Sequence, residues 1–333
     1  MDHVRWGIIG CGDVTEVKSG PGFQKADGSS LVAVTRRDRA KAEDYARRHG
    51  VPRVHGTAVD LIRDPAVDAV YIATPPDTHE ALALLAADAG KPCLVEKPMA
   101  RNHAECLRMT DAFRTAGVPL WVAYYRRALP RFLEVRKLLS QEAIGRLTSV
   151  HIQITDRLAS GAQATNWRFD PAQAGGGLFL DLASHCLDLV DFLVAPIADV
   201  SGFALNTGRA YAAEDVTCAA FRAGPGVAGT GVWNFHADAK TDVMTFTGSD
   251  GTLTTPVFSD GDVVVSRAGG IDILPIRNPP HVHQPLIQTI VDELRGQGHC
   301  ESTGESGART SWVMDRCLEG YYGTGRQRTM TTT

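Results

Sequence analysis

What the chain lacks narrows the field first. No run of eighteen or more apolar residues occurs, so no segment reads as a membrane-spanning helix and no membrane partner is expected. A strand pattern begins at Val4 with no basic and then apolar leader before it, which leads to the expectation of a soluble, cytoplasmic protein. Positive charge is not in excess: 34 Lys and Arg stand against 38 Asp and Glu, a formal net charge of -4. That balance argues against a nucleic-acid-binding surface. None of the seven cysteines (Cys11, Cys93, Cys106, Cys186, Cys218, Cys300, Cys317) forms a Cys-x-x-Cys pair, and most sit among apolar neighbours. Reduced, buried thiols of a reducing compartment are the reading. No internal repeat and no low-complexity linker divides the 333 residues, and at that length two domains are expected.

Short apolar runs alternate with helical patterns through the first third. Strands are read near 4–9, 31–35, 67–73, 92–95 and 118–123, with helices from about 14 and at 38–49, 77–89 and 102–116. That alternation specifies a parallel sheet with helices on both faces, in Rossmann-like order. The pattern then changes. After a helix near 129–140 come period-two runs at Leu147 to Thr155, Val216 to Phe221, Val227 to Phe235 and Thr241 to Thr247, interrupted by one strong helix at about 175–194. Such runs, joined by Gly-rich turns, argue for a large, mainly antiparallel open sheet with one face covered by helix. Val232, Asn234 and His236 alternate with Trp233 and Phe235, so neither face reads as simply hydrophilic and the second face also needs a cover. Short strands and loop are expected over about 256–280, and helices at 284–295 and 304–320. Thr329 to Thr333 reads as a polar, frayed tail. The fold class is therefore α/β: an N-terminal Rossmann doubly wound parallel sheet over 1–124 and a C-terminal α+β domain over 125–333.

Val4-Arg5-Trp6-Gly7-Ile8-Ile9-Gly10-Cys11-Gly12-Asp13 reads as a buried strand entering a glycine-rich turn, where a dinucleotide pyrophosphate would lie. Gly10, Cys11 and Gly12 let the backbone turn sharply and approach the phosphates, and Asp13 and Val14 lead into a helix whose first amides face them. Thr15 stands in place of the third glycine of the fingerprint, which serves close helix–strand packing. At the end of the second strand an enzyme using NAD usually places an acid. Here stand Thr35, Arg36 and Arg37, and two guanidinium forks with a hydroxyl suit a 2′-phosphate. NADP(H) is thus the preferred cofactor and NAD(H) the alternative. A solvated helix start is the bland reading of the two arginines.

Val95-Glu96-Lys97-Pro98 lies where a buried strand ends, and a lysine there projects into the crevice at the carboxyl ends of the strands. Successive strand side chains point to opposite faces, so Glu96 would not pair with Lys97 within the strand. The segment Gly175-Gly176-Gly177-Leu178-Phe179-Leu180-Asp181-Leu182-Ala183-Ser184-His185 puts a carboxylate and an imidazole four residues apart, on one helix face. Hydride delivery to a carbonyl builds alkoxide character, which needs a proton and a nearby positive charge. His185, as an imidazole of ordinary pKa about 6.5, reads as the donor. Lys97 then stabilises the oxyanion, and Asp181 holds a second hydroxyl or fixes the other two; the reverse assignment, with lysine as acid, stays open. Asp181 and His185 could also share a metal ion, but no third and fourth ligand stands at motif spacing, so no metal is expected. Trp167 and Arg168, with Tyr124, Tyr125, Arg126 and Arg127, read as pocket walls, whose rings and guanidinium forks suit a polyhydroxylated sugar or a cofactor phosphate. Core packing is the alternative for Trp167 and Tyr124, and a solvated face for Arg127. His236 reads as packed or interfacial.

Together with Ala73-Thr74-Pro75-Pro76-Asp77-Thr78-His79, these motifs resemble, in order and spacing, the glucose-fructose oxidoreductase and inositol dehydrogenase family (Gfo/Idh/MocA) over nearly the whole chain. The resemblance implies that Thr74, Pro75 and His79 line the nicotinamide-ribose side, with Glu96 and Lys97 completing the cofactor set. Helix capping by Thr74 or Asp77 is the structural alternative. It further implies a cis Lys97–Pro98 bond, a place close to the substrate for His283 (or a helix-start role), and no metal. An open sheet that mediates subunit contact, in a homodimer or homotetramer, is implied as well. The function implied is an NADP(H)-dependent oxidoreductase interconverting a carbonyl and a secondary alcohol on a sugar, cyclitol or related polyol. Two alternatives belong to the same resemblance: an NAD-dependent glycosidase-type enzyme, and a non-catalytic NADP-binding sensor. The sensor has no use for Lys97, Asp181 and His185 together.

Overall fold

The computed structural model describes residues 1–157 and 166–323, so the tail read at Thr329 to Thr333 lies outside the described residues. Two compact units are present. The first comprises Met1–Ala100, Ala104–Leu129 and Pro279–Ala308, the second Arg101–His103, Pro130–Asn278 and Arg309–Thr333. The division is not one cut in the sequence, because Pro279–Ala308 packs with the N-terminal residues.

In the first unit β1 (Val4–Ile9) runs into α1 (Asp13–Val17) and α2 (Gly20–Lys25). There follow β2 (Ser29–Thr35), α3 (Arg39–His49), β3 (Arg53–Val54), α4 (Ala58–Arg63), β4 (Ala69–Ile72), α5 (His79–Asp88), β5 (Cys93–Val95), α6 (His103–Ala116) and β6 (Leu120–Val122). Strand order is β3-β2-β1-β4-β5-β6, all parallel. Order therefore reverses between β1 and β4, where sheets of this kind bind ligands at the carboxyl ends. All four residues of β4 are buried, as a central strand covered on both faces requires. Asp38 is the N-cap of α3, its carboxylate accepting from the Lys41 amide.

The second unit holds α7 (Pro130–Ser140), β7 (Leu147–Arg157), α8 (Pro171–Ala174), α9 (Ser184–Leu193) and seven further strands. These are β8 (Ile197–Leu205), β9 (Val216–Ala223), β10 (Val227–Asn234), β11 (His236–Gly248), β12 (Gly251–Thr255), β13 (Val263–Arg267) and β14 (Gly270–Leu274). The sheet order is β14-β13-β12-β11-β7-β10-β9-β8. Only β7 and β10 pair parallel; the other neighbours are antiparallel. Val150, Ile152, Ile154, Phe221, Trp233, Met244, Phe246 and Leu253 are buried on one face.

The opposite face differs from the apolar surface expected. Ser149, His151 and Gln153 of β7 stand between Ala228, Thr230 and Val232 on β10 and Thr247, Thr245 and Val243 on β11, all exposed or half-buried. Apolar groups collect at its margins instead: Phe203 and Leu205 on β8, Ile271 and Ile273 on β14. Residues 256–280 add β13 and β14 to the sheet edge and do not cross the face. The continuous helix expected at 175–194 is also broken. Gly175, left-handed at φ 85°, caps α8, a wide π-type turn spans Phe179–Ala183, and only then does α9 begin.

The chain then completes the first unit with α10 (Gln284–Leu294), while α11 (Gly304–Tyr322) begins in the first unit and continues in the second. Ile287 of α10 meets α2 so closely that a Cβ on Gly22 would lie 2.8 Å from its Cδ1. The Ser302 hydroxyl donates to the Val122 carbonyl at 2.7 Å, and Thr303 bridges to Trp121.

Candidate active site

At the end of β1, Gly10 has φ 91°, and a Cβ there would lie 2.7 Å from the Thr74 side chain and 3.0 Å from the Ala73 backbone. Glycine is demanded by conformation and by close approach. At Gly12 the case differs: a Cβ would meet nothing nearer than the Gly10 oxygen at 3.8 Å. Protein packing does not call for glycine there, so the room a side chain would fill is a cradle that fits a phosphate. Thr15 is fully buried and its hydroxyl donates to the Gly12 carbonyl at 2.8 Å. A close approach between helices occurs at Gly20 of α2, whose Cβ would lie 2.1 Å from the Thr15 oxygen of α1. Burial pushes the Cys11 thiol up to about 11, so it is an inert packing group. Asp13 is exposed and Val14 half-buried at the turn.

At the end of β2 the Thr35 hydroxyl donates to the His55 carbonyl, 3.0 Å away. Arg36 turns back and donates from Nη1 to the Cys11 carbonyl at 3.0 Å. Arg37 is exposed. Thr74 and Pro75 are half-buried after β4. His79 departs from the ribose-side role, since its ring is fully buried. Nε2 lies 2.7 Å from the Thr74 carbonyl, and Nδ1 lies 3.2 Å from both the Pro98 and Met99 carbonyls. The ring ties the loop after β4 to the turn after β5 and offers no surface to a cofactor. Burial lowers its pKa, against the raising effect of those carbonyls.

Strand β5 ends at Val95, so Glu96 and Lys97 lie just beyond it, and the Lys97–Pro98 bond is cis. Glu96, nearly buried, accepts from the Lys97 amide at 3.1 Å and from the Tyr71 hydroxyl. Burial and the Glu96 charge hold the Tyr71 phenol well above its ordinary range, so it stays a donor. His283 is buried, stacks on Tyr125 at 4.3 Å, and places Nδ1 3.7 Å from Glu96. Burial first, and then Lys18, Lys97 and Arg126, hold His283 well below the ordinary imidazole value. The ring beside Glu96 is therefore neutral. Arg126 is buried with its guanidinium 4.8 Å over the Tyr125 ring. Two pocket-wall expectations change. Tyr124 is fully buried in the core of this unit and presents no surface to a substrate. Arg127 is buried rather than solvated, donating to the Glu301 carbonyl at 3.1 Å.

In the second unit the triple glycine lets backbones meet: a Cβ on Gly175 would lie 2.5 Å from the Arg101 oxygen, and the Gly177 amide donates to the buried Glu214 carboxylate at 2.8 Å. Phe179 sets its ring edge-on to Trp233 at 5.1 Å, which fastens the π-type turn to the sheet. Asp181 lies in that turn and His185 in the first turn of α9, so their spacing of four does not belong to one regular α-helix. The Asp181 Oδ2 lies 3.5 Å from Arg168 Nε, and the Arg168 guanidinium lies 4.5 Å over the Trp167 ring. His185 is 3% exposed, with Phe258 edge-on at 6.2 Å. The roles of Tyr71, Glu214 and Phe258 had no motif to announce them. Among the described residues no group of three or more His, Cys, Asp and Glu could hold a metal ion, and no helix is long and apolar enough to cross a membrane.

Residues 4–124 match a family model described as an oxidoreductase family with an NAD-binding Rossmann fold. The class is then plain: a nicotinamide-dinucleotide-binding oxidoreductase acting on alcohol and carbonyl groups. Residues 132–254 match the GFO/IDH/MocA C-terminal domain, and the chain belongs to the Gfo/Idh/MocA family. It is 36% identical, over 94% of its length and 98% of the relative, to oxidoreductase P35 of Formosa agariphila. Trans-1,2-dihydrobenzene-1,2-diol dehydrogenase of Sus scrofa is 35% identical over 57% of this chain and 56% of its own, so the match spans little more than half of either. A solved structure of levoglucosan dehydrogenase with NADH and levoglucosan shares the fold, with TM-score 0.84 at 22% identity over 95% of this chain and 96% of the other.

Proposed function

We propose that the chain interconverts a carbonyl and a secondary alcohol on a sugar, cyclitol or related polyol, with NADP(H) as the preferred cofactor. The carrying observation is that Lys97 lies two residues beyond the end of β5, a strand of the same parallel sheet whose β1 opens into the Gly10–Gly12 turn. When bound, the nicotinamide supplies or takes up the hydride. In this reading Lys97 steadies negative charge on the reacting oxygen, His185 gives or accepts its proton, and Asp181 orients a neighbouring hydroxyl. Glu96, anchored by Tyr71, holds the Lys97 backbone. The relatives' named compounds, levoglucosan and trans-1,2-dihydrobenzene-1,2-diol, support a hydroxyl carried on a ring. A spectrophotometric screen of sugars, inositols and cyclic diols with NADP and NADPH tests the reading. Turnover of none of them would sink it in favour of the sensor.

The cofactor preference is assigned to Arg36 and Arg37, with the exposed Arg37 as the reader of a 2′-phosphate and Arg36 as the brace of the glycine turn. Arg37→Asp is expected to weaken NADPH binding by roughly 10- to 100-fold, the worth of a charge-assisted hydrogen bond, while NADH binding barely moves. Arg36→Asp is expected to weaken both. Equal titration of the wild type by NADPH and NADH would remove the preference.

A homodimer or homotetramer through the second unit's sheet is part of the same reading. The exposed apolar pairs at the two edges of the sheet, Phe203 with Leu205 and Ile271 with Ile273, support it as places a second copy could cover. Light scattering coupled to gel filtration at micromolar concentration should give a multiple of 35.8 kDa. A single-chain mass would end the proposal.

A further inference from the structure

We propose that Phe258 is a preformed apolar wall beside His185, selecting substrates that turn a hydrocarbon ring face towards the proton-transferring imidazole. The proposal rests on the reading of His185 given above. Its footing is the turn that carries Phe258. Asp242 lies on β11, and its carboxylate accepts four hydrogen bonds from that turn: the amides of Val257 at 2.8 Å, Phe258 at 2.9 Å and Ser259 at 2.7 Å, and the Ser259 hydroxyl at 2.8 Å. A second anchor comes from α7. Arg131 is 1% exposed, a rare depth for a guanidinium. It donates to the carbonyls of Ser259 at 2.7 Å, Pro256 at 3.4 Å and Ile276 at 3.3 Å, with the Asp260 carboxylate 3.6 Å away.

The turn is thus held from one side by a carboxylate that takes up the amides of Val257, Phe258 and Ser259, and from the other by a guanidinium that takes up the carbonyls of Pro256 and Ser259. A solvent-facing loop has no need of so many charge-assisted bonds; a turn that must hold one ring in one place does. Phe258 is half-buried, so part of the residue reaches the surface, and its ring stands edge-on to His185 at 6.2 Å and 73°. An edge-to-face pair fixes the imidazole's tilt without spending either ring nitrogen. The Arg168 and Asp181 pair offers charge to hydroxyls, while Phe258 offers hydrocarbon. A ring with hydroxyls on one edge and a bare C–H face satisfies both, and an open-chain polyol, or a ring with an axial hydroxyl on each face, satisfies only the first.

Two probes of the same ring size decide the matter: trans-cyclohexane-1,2-diol, whose ring faces are bare C–H, and neo-inositol, which carries an axial hydroxyl on each face. Phe258→Ala should lower the ratio of kcat/KM for the diol over that for the inositol by on the order of 10-fold, chiefly through KM, and Phe258→Trp should restore it. Asp242→Asn keeps an oxygen but loses the charge, and should show the same bias in milder form. Equal losses for both probes, residing in kcat, would reduce the ring to a structural support and overturn the proposal. Binding is read separately by saturation transfer from the diol to the protein with NADP present. No difference in transfer between the wild type and Phe258→Ala also overturns the wall. Transfer that depends on Phe258, without turnover of any alcohol, upholds the wall and strikes at the oxidoreductase reading alone.

Discussion

Lys97→Ala and His185→Ala should each lower turnover by on the order of 100-fold or more while the dinucleotide still binds, the range expected of groups that move protons or steady charge in the transition state. Lys97 sits two residues beyond the end of β5 with its amide bonded to Glu96, so losing its ammonium leaves the turn's backbone anchor in place. His185 is almost fully buried, and replacing it removes an imidazole packed against Phe258. Cofactor binding by fluorescence and turnover across pH 6 to 9 separate the two effects. If His185→Ala turns over like the wild type throughout that range, the proton is handled elsewhere and Lys97 becomes the acid.

Gly10→Val should be worse for the molecule than either, because it attacks fold and cofactor binding together. The position lies at φ 91°, where a β-branched residue is strained by about 1–3 kcal/mol. Its Cβ would press on Thr74 and the Ala73 backbone, an overpacking that costs roughly 1–3 kcal/mol more. A lowered melting temperature and lost NADPH binding are the expected pair of results. A variant that melts and titrates like the wild type would mean that the turn can open without cost, contrary to its contacts. Gly12→Ala is the contrast: it should fold normally, since its Cβ meets nothing within 3.4 Å, and lose affinity alone.

The first unit was legible because a parallel sheet buried on both faces writes itself as short continuous apolar runs, as at Ala69–Ile72. The strand β8 escaped for the opposite reason. Ile197–Leu205 is an edge strand with Asp199, Ser201 and Gly202 in its middle, and its periodicity is blurred where one side meets water. The break between Asp181 and His185 left no trace either, since Leu178 to Leu193 reads as uniformly helical and the π-type turn is set by Phe179 meeting Trp233 far along the chain. Tyr124 and Arg127 looked like pocket walls on residue type, and only packing could assign one to the core and the other to the Glu301 carbonyl. Arg131 and Asp242 were ordinary charges on a helix and a strand until the fold set the same turn against both.

The return of Pro279–Ala308 to the N-terminal unit has a consequence for the order in which the molecule can assemble. Domains commonly fold in turn as they leave the ribosome, the earliest made closing first. Here the nucleotide half emerges without α10, and Gly22, Trp121 and Val122 must wait for partners that follow the whole of Pro130–Asn278. The half begun first therefore cannot be the half finished first, and its nascent sheet needs shielding from neighbouring chains through most of translation.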